Sequence, residues 1–388
     1  MGCSKHAVLI AVIISAIALK DAGVQTAAAV DKASLPERKL VLQIVGPDGG
    51  LVAGANVGTG LNVFENSQGH PPQTIVMWLR GQKRWWPYSS DAQGQVLLKG
   101  PDAAYRNFYV SYPAQGWVGY RQVLEGSAGS RVTIRLEPAC HVRGQVTSTG
   151  FENLGHPMAR AIAFLHDSRD HLLMYFVSER GRYEFLLPAG RYELECLGEG
   201  PGGIETERRR MSLDIKPGQR VLDLGSVNLR STRLAELYAK PAPPFEKITD
   251  WRSRNPGMIG LLRGSVVVLV FWGSWSQPCL RTMPQLIKLH DQYHEEGLVI
   301  IGVHDNSVTD LQQLETKLVE ARSLYWERRD LPFPVALDSG QGRGATHEVY
   351  GVDQWPTTIV IDREGNVAGK FSPWGPLQKE LPRLLGDG

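Results

Sequence analysis

Residues 265–271 read SVVVLVF, an apolar run in which no polar residue alternates. A strand with one wet face alternates, so an unbroken run predicts a strand covered on both faces. Sheets of that kind lie between layers of helices. The next stretch, Trp272-Gly273-Ser274-Trp275-Ser276-Gln277-Pro278-Cys279, predicts a turn into a helix carrying Leu286, Leu289 and Tyr293. A second buried strand is expected over 298–303 and a helix over about 308–325. Trp355-Pro356-Thr357-Thr358-Ile359-Val360-Ile361-Asp362 then opens a hairpin turning at Arg363-Glu364-Gly365-Asn366, and a last helix follows. Strand, helix, strand, helix, hairpin, helix is an α/β sandwich with a mixed sheet.

From Gly264 through Trp275 to Pro284 this segment resembles the thioredoxin fold of the TlpA/ResA type, akin to the AhpC/TSA family. That family reads G-K-V-V-V-L-x-F-W-A-x-W-C-x-P-C-x-x-E-x-P. Pro356 matches its cis-proline beside the active-site dithiol, and Asp362 to Val367 match its I-D-x-x-G-x-V hairpin. The resemblance spans residues 241–388 and implies thiol-disulfide exchange with no cofactor.

Two departures bear on that chemistry. The family's attacking cysteine sits at a helix N-terminus, where the helix dipole favours the thiolate. Here that position is Ser276, whose hydroxyl has no redox chemistry. The family's glutamate three residues past the second cysteine is Thr282. Cys279 remains, in the resolving position. The resemblance makes Cys279, Ser276 and Pro356 the catalytic-site positions, and Trp275, Pro278 and Trp355 the lining of a groove for an extended peptide or a protein thiol or disulfide. Two readings stay open. One is a binding protein that keeps the fold for its surface; the other is a monothiol enzyme exchanging through Cys279. Loss of both nucleophile and proton-relay acid favours the first. A hydrolytic role for Ser276 needs a positioned base, and none stands near it in sequence. His290 and His294, spaced i, i+4, form half a metal site at most and are expected on a solvated helix face, so no metal is expected.

Upstream, Gly 42 and Pro 24 in 388 residues signal many turns. Residues 40–136 are short alternating runs broken by turn signals, and residues 140–229 repeat the plan. Ser90-Asp91-Ala92-Gln93-Gly94 overlays Ser178-Glu179-Arg180-Gly181, and Asn107-Phe108-Tyr109-Val110 overlays Arg191-Tyr192-Glu193-Leu194. Two small antiparallel sandwiches are expected. Asp48-Gly49-Gly50-Leu51-Val52-Ala53-Gly54-Ala55-Asn56-Val57 resembles the carboxypeptidase regulatory-like module, which implies a non-catalytic spacer or adhesion role. Cys140 and Cys196 both fall on core-facing positions of the second copy, so a disulfide between them is expected, with two separate buried thiols as the alternative. Trp85-Trp86-Pro87-Tyr88, with Trp78 and Trp117, reads as sandwich packing before it reads as a sugar platform.

Residues 7–19 form an apolar run behind Lys5 and His6, and Ala27-Ala28-Ala29 offers a cleavage site, so residues 1–29 are expected to be a secretory signal. The run falls short of the ~20 apolar residues of a membrane span, so no stable span is expected after processing. A periplasmic or extracellular location follows. Lys+Arg 42 against Asp+Glu 40 leaves +2, which gives no electrostatic case for nucleic acid. The expected order is signal 1–29, β-sandwich 36–139, second β-sandwich 140–230, linker 231–244, and thioredoxin-like domain 245–388.

Overall fold

The computed structural model describes residues 39–386 except 60, 65–75, 80, 81, 86, 87, 100–106, 123–130, 169, 171 and 374. The expected signal segment and Trp86-Pro87 lie outside the described residues. No described helix is long and apolar enough to cross a membrane. The chain divides into two compact units. One runs to Gly200 and resumes at Thr206–Ser231; the other comprises Pro201–Glu205 and the chain from Thr232 onward.

The first unit is built from strands, and its internal repeat is visible in the pairing. Lys39–Val45 pairs in parallel with Arg131–Arg135 and antiparallel with Gln95–Lys99. Cys140–Thr147 does the same with Val221–Asn228 and Arg182–Leu187. Gly94 and Gly181 make equivalent turns: each has positive φ, and each carbonyl accepts from the strand it faces, at Ile44 and Val146. A Cβ on Gly181 would stand 2.2 Å from the Val146 carbonyl oxygen, so only glycine fits there. The copies are joined in a way the alternation does not reveal. Leu61–Phe64, from the first copy, pairs in parallel with Leu172–Ser178 of the second, which makes one seven-stranded sheet. Trp78 and Trp85 lie on strands of this sheet; Trp117 packs on Tyr112 at the edge of the first core.

The expected disulfide is corrected. Cys140 and Cys196 are both buried in one core cluster, as the alternation requires, yet both are free. Cys140 belongs to the three-stranded sheet and Cys196 to the seven-stranded sheet, so they occupy different walls of that core. The Tyr183 hydroxyl stands beside the Cys196 thiol. Burial pushes the Cys196 thiol up to about 12, with Glu195 adding to the shift.

The second unit has a six-stranded mixed sheet. The central strand Val266–Trp272 runs parallel to Leu298–His304 and antiparallel to Thr357–Ile361. Val335–Leu337 and Asp250–Arg252 extend one edge and Val367–Lys370 forms the other. The apolar run serves two cores at once. Val266, Val268, Val270 and Trp272 face the helices Gln277–Tyr293, Leu311–Leu324 and Pro376–Leu385. Val267, Leu269 and Phe271 face Leu234 and Leu237 of the short helix Arg233–Leu237 and Tyr350 of Ala345–Tyr350. Part of the stretch expected as linker therefore contributes side chains to this core.

Candidate functional site

The site forms where the central strand ends. After Trp272 the chain turns, the Ser276 N–H donates to the Gly273 carbonyl at 3.0 Å, and Ser276 becomes the N-cap of the helix Gln277–Tyr293. Gly273 is needed for close approach, since a Cβ there would stand 2.4 Å from Trp275 Nε1. Pro278, in the first turn, gives up an N–H that the helix leaves unpaired in any case. The Ser276 side chain caps no backbone N–H; its hydroxyl meets the Cys279 thiol. Cys279 is fully buried one turn further on, and burial pushes its thiol up to about 11. Ser276 and the Gly273 backbone pull in the opposite sense, and the Asp305 carboxylate adds to the rise. Thr282 is buried and donates to the Pro278 carbonyl at 2.9 Å. It offers no proton-relay acid.

Two tryptophans flank this turn, one held directly by a buried carboxylate and the other through a histidine. Asp305 Oδ2 accepts from Trp275 Nε1 at 2.7 Å, while Oδ1 accepts from the Ser307 hydroxyl at 2.5 Å. On the other side, Asp338 ends the strand Val335–Leu337. Its carboxylate accepts from the backbone N–H groups of Ser339, Thr346 and His347 and lies 2.8 Å from His347 Nδ1. His347 Nε2 accepts from Trp355 Nε1 at 3.2 Å. The indole N–H must donate, so the His347 proton lies on Nδ1, toward Asp338. The Trp355–Pro356 bond is cis. The rings of Trp275 and Trp355 meet edge to face, 5.7 Å apart at 69°, and Trp275 is half exposed.

A family model described as the AhpC/TSA family matches residues 240–370. Thiol-disulfide oxidoreductase ResA of Bacillus thuringiensis subsp. konkukian is 37% identical over 128 residues, covering 33% of this chain and 65% of that protein. ResA of Geobacillus thermodenitrificans is 35% identical over 140 residues, 36% of this chain and 72% of that protein. The chain belongs to the ResA-like thiol-disulfide oxidoreductases. Among solved structures, a thiol-disulfide isomerase from Corynebacterium glutamicum is 24% identical, covering 38% of this chain and 98% of that one with a TM-score of 0.31. The chain spans just under two thirds of the Bacillus relative's length, and the family match leaves the residues before 240 outside it.

In the ResA-like unit, Cys279 is the one cysteine of the segment from Thr232 to the end. At the helix start the Ser276 hydroxyl stands beside the Cys279 thiol. No base is free to activate Ser276 through His304: its Nε2 accepts from the Ser274 N–H at 2.9 Å and its Nδ1 is 2.8 Å from the Asp305 carbonyl oxygen. Burial also lowers its affinity for a proton. Of the expected site residues, the structure joins Ser276 to Cys279 and Trp275 to Trp355, and Pro356 follows Trp355 through the cis bond. Asp305, Asp338 and His347 are the residues that local sequence reading leaves unconnected; the sheet brings them in. His290 and His294 stack with ring centroids 4.7 Å apart and planes nearly parallel, and no third ligand joins them among the described residues.

Proposed function

We propose that this is an exported thioredoxin-like protein whose Ser-Gln-Pro-Cys site has given up dithiol turnover, and whose groove holds a protein partner. The carrying observation is the state of Cys279: fully buried, raised to about 11, and facing Ser276 rather than a second sulfur. At pH 7 a thiol at 11 is ionised to about one part in 10⁴, so it neither attacks a disulfide quickly nor finds an internal partner. Two indoles, one locked by Asp305 and the other by His347, support binding, because a fixed aromatic surface loses little freedom when a partner docks. The upstream repeats serve as carboxypeptidase regulatory-like spacer modules in this reading.

Thiol titration with 5,5′-dithiobis(2-nitrobenzoate) tests it. In the native protein at pH 7 no thiol should react on the scale of minutes, and in denaturant without reductant the processed chain should show all three of Cys140, Cys196 and Cys279. A stoichiometric fast reaction that Cys279→Ala removes would support monothiol exchange instead. Export is tested by the intact mass of secreted material, which should begin near Val30. Retention of the residues before position 20 would contradict it.

A further inference from the structure

We propose that Arg343 makes this groove selective for an extended peptide carrying an aspartate or glutamate. The inference rests on the partner-binding reading above and names the partner's chemistry. Arg343 is exposed, its guanidinium lies 4.2 Å over the Trp355 ring, and one of its nitrogens donates to the Asp353 carbonyl. Among the described residues no carboxylate pairs with it. The two buried carboxylates nearest the tryptophans are both engaged: Asp305 by Trp275 and Ser307, Asp338 by His347 and three backbone N–H groups.

The stack has a chain of supports under it. Asp338 orients His347, His347 holds the Trp355 indole, and the indole face carries the guanidinium. A guanidinium held over a ring and tied at one nitrogen loses little freedom on binding, and its planar fork matches a carboxylate. Beside it, half-exposed Trp275 offers an apolar edge. One fixed cation next to two indoles suits a peptide with an acidic residue among apolar ones. A near-neutral chain at +2 gives no broad positive field for a polyanion.

The test uses the full chain and three pools of fluorescent decapeptides. They are randomised at apolar positions and identical except for Glu, Gln or Lys at one central site, with binding read by anisotropy. The Glu pool should bind about 5–10-fold tighter than the Gln pool at low salt, as a charge-assisted hydrogen bond at a partly exposed site allows. Arg343→Gln should erase that preference, so that the variant binds its Glu and Gln pools alike, Arg343→Lys should restore part of it, and Trp355→Ala should weaken every pool. Equal binding of the Glu and Gln pools, or a preference that survives Arg343→Gln, would overturn the acidic selectivity and leave partner binding standing. If no pool binds at all, the partner-binding reading itself falls, and this inference with it.

Discussion

Ser276→Cys should attack a disulfide at pH 7 about 10²-fold faster than the Cys279 thiol alone can, lifting insulin reduction clear of the background expected for the wild-type chain, and Cys279→Ala in that background should abolish the gain. The size follows from ionisation. A cysteine at a helix N-terminus has a pKa near 7, so about half is thiolate, against about one part in 10⁴ for a thiol at 11. Nucleophilicity falls as the pKa falls, with a Brønsted slope of about 0.4–0.5, and that returns roughly two of the nearly four decades. The new sulfur would take the place of a hydroxyl that already meets the Cys279 thiol, so the pair is positioned to resolve a mixed disulfide. Reduction of insulin, followed by turbidity, measures it. A Ser276→Cys variant whose introduced sulfur forms a disulfide with Cys279, yet whose activity stays at background, would show that more than the missing sulfur separates this site from its relatives.

Asp338→Ala should cost the second unit about 3–5 kcal/mol, the range for removing one partner of a buried charged network. The carboxylate is buried and serves three backbone N–H groups and His347 Nδ1. Its loss strands four donors in a dry site and unfastens Trp355. Asp338→Asn should cost less, because one carbonyl oxygen still accepts, though its amide must face donors. Urea unfolding followed by tryptophan fluorescence reads the shift, since Trp272, Trp275, Trp326 and Trp355 all belong to this unit. A loss under about 1 kcal/mol would mean the network is not what holds this corner.

How much of this is legible in the residues depends on the range of the interaction. The central strand announces itself because burial on both faces removes alternation, and its odd and even side chains do go to separate cores. Ser276 is legible as a helix start because Pro278 fits a first turn. Asp338, His347 and Trp355 are not. They are spaced by nine and eight residues and lie on different elements, so no single helix or strand period brings them together, and the strand that delivers Asp338 is only three residues long. The short helix carrying His347 and the cis bond before Pro356 close that triangle in space. In the first unit, Gly94 and Gly181 betray the repeat because the same tight turn admits no side chain. The pairing of Leu61–Phe64 with the second copy is set by long-range register, which no local pattern encodes. The alternation placed Cys140 and Cys196 in one core but was silent on which sheet each lines.

Insulin reduction by the wild-type chain, run beside Cys279→Ala under the same reductant, tests the central claim most directly. Both proteins should match the uncatalysed rate, because a turnover cycle needs an attacking thiolate and a resolving thiol and this unit has only a buried Cys279. Robust wild-type turnover that Cys279→Ala removes would make the chain a working monothiol enzyme, and turnover that survives Cys279→Ala would place the chemistry outside this site.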